Sequence, residues 1–216
     1  MKKIILSAAA LFAFAFVNAQ EAETPAFGFK QGDVLLEGNL SFGFSKDEDD
    51  AGEVKESTFN FNPKAGYFLT EKLALGVEFG VGSEKTEDTP NGGTTAETTT
   101  NSFNAGVFAR YYFLDLGQRF KTYAEAGVGY GSSKDEEDGQ EVSKLTGFNV
   151  GIDLGINYFI TENFAINFGL TNVLAFNNEK TEFPSGAETK TNSFEGNFNV
   201  FNNFFDTAQF GLTWKF

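Results

Sequence analysis

The sequence predicts an all-β chain, an eight-stranded antiparallel up-and-down transmembrane β-barrel. Three observations predict it. Apolar residues recur at every second position in eight segments of about ten residues, the strand length that crosses a bilayer at a strong tilt. The connections between those segments alternate between short and long. The chain closes on Ala208-Gln-Phe-Gly-Leu-Thr-Trp-Lys-Phe216, where Ala208, Phe210, Leu212, Trp214 and Phe216 share one face and Gln209, Gly211, Thr213 and Lys215 the other.

The segments follow in order. Asp33 to Ser45 sets Val34, Leu36, Leu40, Phe42 and Phe44 against Glu37, Asn39, Ser41 and Gly43. The second ends in Phe59 to Tyr67, with Phe59, Phe61, Ala65 and Tyr67 apolar. Leu73 to Gly82 opposes Leu73, Leu75, Val77, Phe79 and Val81 to Gly76, Glu78, Gly80 and Gly82. The fourth carries Phe103, Ala105, Val107, Ala109 and Tyr111 against Asn104, Gly106 and Arg110. The fifth sets Thr122, Ala124, Ala126, Val128 and Tyr130 against Glu125, Gly127 and Gly129. In the sixth, Phe148, Val150, Ile152, Leu154, Ile156 and Tyr158 oppose Gly147, Asn149, Gly151, Asp153, Gly155 and Asn157. The seventh sets Phe164, Ile166, Phe168, Leu170 and Leu174 against Asn167, Gly169 and Thr171. The closing segment is the eighth. No helical period competes with this alternation.

Short connections fall at Leu69 to Lys72, Leu114 to Arg119 and Ile160 to Asn163. Long polar ones fall at Lys46 to Glu56, Glu84 to Thr98, Ser132 to Ser143 and Asn177 to Thr207. Short periplasmic turns and long outer loops are the asymmetry of an outer-membrane barrel. Both termini then lie on the periplasmic side.

A soluble barrel or sandwich would also alternate, with its apolar face inward. Three features weigh against it. The polar face is mostly Gly, Asn and Ser with about one charge per strand, which suits a crowded interior better than a water-facing sheet. The apolar face ends in Tyr67, Tyr111, Tyr158 and Trp214, each just before a short turn or the terminus, where an aromatic girdle belongs; Phe216 completes it. Closure also removes exposed strand edges without a soluble core.

The start of the chain reads as an export signal. Met1-Lys2-Lys3 is basic, Ile4 to Val17 is apolar, and Val17-Asn18-Ala19 is a small-residue cleavage site. The apolar run of 14 residues is short for a spanning helix. No Cys follows it, which excludes a lipid anchor. The expected division is a signal peptide over 1–19, a periplasmic lead-in over 20–32 and one barrel domain over 33–216. The formal charge is -14; loss of Lys2 and Lys3 takes it to -16, which makes nucleic acid an improbable partner.

On these residues the chain resembles the small eight-stranded outer-membrane barrels of the OmpA-transmembrane and OmpX-like type, in the form common in Bacteroidota. The resemblance covers the whole mature chain. It implies residence in the outer membrane among lipid and lipopolysaccharide, as a monomer. It also implies insertion by the barrel-assembly machinery, with the aromatic closing strand as signal. No peptidoglycan-binding domain follows Phe216, so a cell-wall tether does not carry over.

The polar parity places Glu37, Lys64, Glu78, Arg110, Glu125, Asp153 and Lys215 in the lumen. Neighbouring strands bring Lys64 to Glu78, Arg110 to Glu125 and, across the closure, Lys215 to Glu37. Paired charges are tolerable there and isolated ones very costly. The set reads either as a packed core that fixes strand register or as a gate on an ion path.

The four long connections hold 20 acidic residues and 6 lysines, densest at Lys46 to Asp50 and Lys134 to Asp138. They offer a surface to an unidentified extracellular ligand, or a solvated face that binds divalent cations diffusely. A calcium-loop reading fails, since Ala51 and Thr58 occupy ligand positions. In the fourth connection Phe194, Phe198, Phe201, Phe204 and Phe205 interleave with asparagines, which reads as a strand extension, a cover over the barrel mouth or a surface for a partner. Without His or Cys, nucleophile–His arrangements are absent. A carboxylate pair such as Glu78 and Glu125 would have to work buried below the mouth. No enzyme activity, cofactor or metal site is expected.

Overall fold

The computed structural model describes residues 27–196 and 208–216. The expected signal peptide and residues 20–26 of the lead-in lie outside the described residues. Nine strand segments follow the chain: β1 Val34–Asp49, β2 Gly52–Phe68, β3 Leu73–Pro90, β4 Ala96–Leu116, β5 Phe120–Glu137, β6 Gln140–Phe159, β7 Phe164–Glu182, β8 Glu188–Gly196 and β9 Ala208–Lys215. Every pairing is antiparallel. β8 and β9 occupy one wall position, because both pair with β7, at its upper and lower halves respectively. β9 then pairs with β1 from Leu35↔Lys215 to Gly38↔Leu212. Val34 and Phe216 extend that seam by exchanging N–H···O bonds of 2.7 and 3.1 Å. The result is a closed eight-stranded antiparallel barrel.

The two faces differ as the parity requires. Leu36, Leu40, Phe61, Leu75, Val77, Phe79, Val107, Val128, Val150, Ile152 and Leu212 all point outward and are exposed. A soluble sheet would bury that surface; a bilayer covers it. Inside, Leu35, Phe68, Ala74, Tyr112, Tyr123, Phe159 and Ala165 form a buried core at the end that holds Phe216 and the start of β1.

Two of the short turns at that end are copies of each other. Phe68-Leu-Thr-Glu-Lys-Leu-Ala74 and Phe159-Ile-Thr-Glu-Asn-Phe-Ala165 place a Thr at the same corner. Leu73 N–H donates to Thr70 Oγ1 at 3.0 Å and Phe164 N–H to Thr161 Oγ1 at 3.1 Å. The hydroxyl thus satisfies a backbone donor that the tight turn leaves over.

Three of the long connections expected between strands are instead continuations of the strands. β1 to β7 run 16 to 21 residues, well past the bilayer. Only residues 50–51, 91–95 and 138–139 remain as turns there. The ladder persists because Thr, Ser, Lys and Glu pair across strands as well as apolar residues do in a water-facing hairpin, as in Thr86↔Thr98 and Thr98↔Glu137. Hydropathy cannot show this, since both faces are polar. At the tip of β5–β6, Asp138 and Gly139 have φ of 49° and 77°, the left-handed pair a two-residue hairpin turn requires. In the fourth connection β7 continues to Glu182 and pairs with β8. Phe194 lies on β8 and is exposed; Phe198, Phe201, Phe204 and Phe205 lie outside the described residues.

Lumen glycines make room for the inward side chains. A Cβ on Gly155 would run into the Tyr123 ring, and one on Gly76 into the Ala65 carbonyl and the Phe108 ring. Replacing Gly155 by Val therefore forces Tyr123 from its seat. We expect a loss of about 1–3 kcal/mol, the usual cost of overpacking, in urea unfolding of the refolded barrel in detergent.

Candidate functional site

The inward charges collect around Arg110 of β4, which is 1% exposed. Its Nη1 and Nη2 donate to Glu37 Oε2 and Oε1 of β1, both at 2.8 Å, and its Nε donates to Glu125 Oε2 of β5 at 2.6 Å. Lys64 of β2 donates to Glu125 Oε1 at 2.6 Å and pairs with Glu78 Oε2 of β3 at 2.9 Å. Glu37 Oε2 also accepts from Asn167 Nδ2 of β7 at 3.0 Å and from Thr213 Oγ1 of β9 at 2.8 Å. Thr213 in turn accepts from Asn157 Nδ2 of β6 at 2.8 Å. One connected set of hydrogen bonds thus takes a side chain from each of the eight wall positions.

Aromatic rings form the floor and sides of this set. The guanidinium stacks 4.0 Å from the Tyr123 ring centroid, and the Phe108 ring lies 5.6 Å away. Tyr112 O–H donates to Asn157 Oδ1 and Asn167 Nδ2 donates to Tyr123 Oη, each at 2.8 Å. Among the described residues no buried side-chain nitrogen or oxygen is without a partner. That completeness is what makes charges in a narrow lumen tolerable.

The expected pairs fare differently. Lys64 meets Glu78, and Arg110 meets Glu125, in direct register. The pair expected between Lys215 and Glu37 is corrected. Register sets Lys215 opposite Leu35, and Glu37 opposite Thr213, two pairs further along. Lys215 turns toward the terminal end, where Nζ donates to the Gly28 carbonyl at 2.7 Å and lies 3.7 Å from Asp33. Asp153 stands beside the network and accepts the Asn172 backbone N–H at 2.8 Å.

Sequence reasoning missed the inward aromatics. Phe108 and Tyr112 share the parity of Arg110, and Tyr123 that of Glu125, so the signal was present. It also missed a plug. Within the expected lead-in, Phe29 sits inside the barrel end with its ring 4.2 Å from Phe68, 4.8 Å from Tyr112 and 5.3 Å from Phe159. Arg119 covers Phe27 at 4.4 Å. Ion pairs cross the middle of the lumen, and aromatic rings pack below them.

Tyr67, Tyr111, Tyr158 and Phe216 stand exposed on the outer face at the terminal end, and Trp214 sits half-buried there, with its ring 5.8 Å from Phe164.

At the opposite end the hairpins repeat one motif. A lysine on each rising strand bonds the glutamate two residues on and a glutamate across the turn. Lys46 meets Glu48 and Glu53 at 2.9 and 2.7 Å; Lys85 meets Glu87 and Glu97 at 2.8 and 2.9 Å. Lys134 meets Glu136 and Glu141 at 2.6 and 3.3 Å; Lys180 meets Glu182 and Glu188 at 2.6 and 2.7 Å. Hydrogen bonds from lysine hold Glu53, Glu87 and Glu182 below the usual carboxylate range. The same bonds hold the four lysines above theirs.

The model of the outer membrane protein beta-barrel domain matches residues 7–216. The chain belongs to that family. It is an outer-membrane protein. A curated relative, outer membrane porin F of Pseudomonas fluorescens, is 26% identical over 167 residues, covering 75% of this chain and 48% of the relative. The chain therefore spans about half the length of that relative. Among solved structures, the outer membrane protein OprG from Pseudomonas aeruginosa is 13% identical at a TM-score of 0.48, covering 88% of this chain and 98% of that one. Outer Membrane Protein W of E. coli is 12% identical at a TM-score of 0.45, covering 87% and 99%.

Two outcomes follow from the geometry. Arg110→Ala leaves Glu37 with no cation and Glu125 with Lys64 alone, and should cost about 3–5 kcal/mol in urea unfolding in detergent; Arg110→Lys recovers only part, since it cannot fork across Glu37. In the hairpins, a lowered carboxylate pKa stabilises above the unfolded value and stops doing so as pH falls through the folded one. Amide hydrogen exchange, corrected for its intrinsic pH dependence, should rise in the hairpin tips below about pH 4 while the wall stays protected.

Proposed function

We propose that this outer-membrane barrel is a non-enzymatic, sealed structural element that presents acidic hairpins at the cell surface. The observation that carries this reading is that side chains cross the lumen at two levels, in the Arg110 network and in the Phe29 ring stack. A conducting pore needs a continuous wet path, and these side chains bond across the tube from β4 to β1 and from β2 to β5. The signal peptide is taken as 1–19, and the termini are placed in the periplasm. The apolar belt faces lipid and lipopolysaccharide, with Tyr67, Tyr111, Tyr158, Trp214 and Phe216 as the girdle at the inner rim. The barrel acts as a monomer, and the aromatic closing strand serves the assembly machinery. The acidic hairpins are the surface for an extracellular ligand. Among the described residues no side-chain constellation suggests catalysis.

The runner-up is a narrow channel for ions or very small solutes. It draws on the name of the relative, a porin, and on the lumen being blocked by side chains rather than by backbone. Planar-bilayer recording decides between the two. The sealed reading expects no stable open level at physiological salt from the wild type. A reproducible open level would overturn it in favour of the channel.

A further inference from the structure

The lumen charges above the plug do not balance. Arg110 and Lys64 supply two cations against four carboxylates, Glu37, Glu78, Glu125 and Asp153, which leaves a net of minus two. Arg110 is spent on Glu37 and Glu125, and Lys64 on Glu125 and Glu78. Among the described residues no cation pairs with Asp153, or with Glu179 of β7 at the rim above it.

This excess borders a cavity of about 470 Å³ on the hairpin side of the ion network. That volume lies in the range of small-molecule sites. Besides the acids, and Lys64 held by Glu78 and Glu125, Asn62, Asn104, Asn149 and Asn177 line it, and Leu145 adds an apolar patch. Gly129 lets the Asn149 amide lie across the wall, since a Cβ there would meet its Oδ1 at 2.5 Å. The β6–β7 ladder shifts register between Ile152 and Leu154, opposite Asn172 at φ 56°. The Asn172 N–H thereby fixes Asp153 at the cavity wall.

A bare metal ion does not suit this site. Among the described residues no three carboxylates are placed to hold one. The acceptors are spread around the cavity on β2, β3, β4, β6 and β7, with side-chain amides among the carboxylates. Their spacing asks for a longer cation with several N–H donors and some methylene surface. We propose that the cavity is a blind vestibule that binds a linear aliphatic polyamine. Its ammonium groups bond Asp153, Glu179 and the asparagine carbonyls, and its methylenes pass Leu145. The inference rests on the sealed lumen of the preceding reading, which makes the vestibule a dead end. Low-dielectric walls focus the field of the uncompensated carboxylates on it, so binding weakens with salt.

The test is calorimetric titration of spermidine into the full refolded barrel in zwitterionic micelles at low ionic strength. A saturable one-site isotherm is expected from the wild type. Asp153→Asn with Glu179→Gln keeps acceptors for the same hydrogen bonds but removes both charges, and should weaken binding at least tenfold. Gly131→Leu should abolish it. A Cβ at Gly131 meets only the Phe103 carbonyl at 3.8 Å, so the variant fills the vestibule without a backbone clash. Heat-modifiable gel mobility checks that each variant is folded. A hairpin control, Glu48→Gln with Glu97→Gln and Glu141→Gln, should bind within twofold of wild type. Non-saturable heat, or binding lost in the hairpin control but kept in Gly131→Leu, overturns the vestibule. A barrel that conducts yet binds spermidine keeps the site and loses the seal; one that neither conducts nor binds keeps the seal and loses the site.

Discussion

The structure depends on one constraint: Arg110 is a buried cation inside a tube only eight strands wide. A guanidinium in that place is stable only if every donor finds an acceptor and the acceptors are held in turn. The carboxylates come from β1 and β5, which lie three strands away and next door respectively. Their remaining lone pairs draw in Lys64, Asn167 and Thr213, and these draw in Glu78, Tyr123 and Asn157. Backbone ladders join each strand to its neighbours alone. The luminal network joins strands across the tube, so it opposes sliding of one strand past another. A slip of one residue would turn every luminal partner toward lipid.

The rest of the barrel is arranged around that layer. Toward the termini, aromatic rings replace polar groups, and Phe29 is drawn in from before the first strand to complete them. Lys215 is left below the network and is satisfied by the backbone of that same segment. Away from the termini the lumen opens into amides and uncompensated carboxylates, and the wall runs on past the bilayer as paired hairpins. Lys–Glu clasps repeated in all four hairpins keep long water-facing strands in register, where no core is available to do so.

Much of this was legible in the sequence, for a definite reason. A lipid-facing strand must alternate, so Phe148 to Tyr158 announced its outward face, and its partner parity announced the lumen. Pairs on adjacent strands, Lys64 with Glu78 and Arg110 with Glu125, followed from counting back from the short turns. The pair across the seam did not. Which residue of β9 faces Glu37 depends on the stagger accumulated around the whole barrel, and a single bulge, such as that at Asn172, changes it. Tyr112 and Tyr123 were overlooked because aromatic residues were assigned to lipid by hydropathy, although their parity is luminal. The hairpin extensions were read as loops because their alternation is between polar residues. Phe29 gave no periodic signal at all, being a lone ring on an irregular segment.

The central claim is that Glu37 and Arg110 act as one unit across the barrel. A double-mutant cycle tests this most directly: urea unfolding, in detergent, of wild type, Glu37→Gln, Arg110→Met and the double variant. The network account predicts a coupling energy of about 2–3 kcal/mol, with the double variant no worse than the poorer single one. Additive losses, with coupling below about 0.5 kcal/mol, would show that the two residues stabilise the barrel independently and would contradict the account.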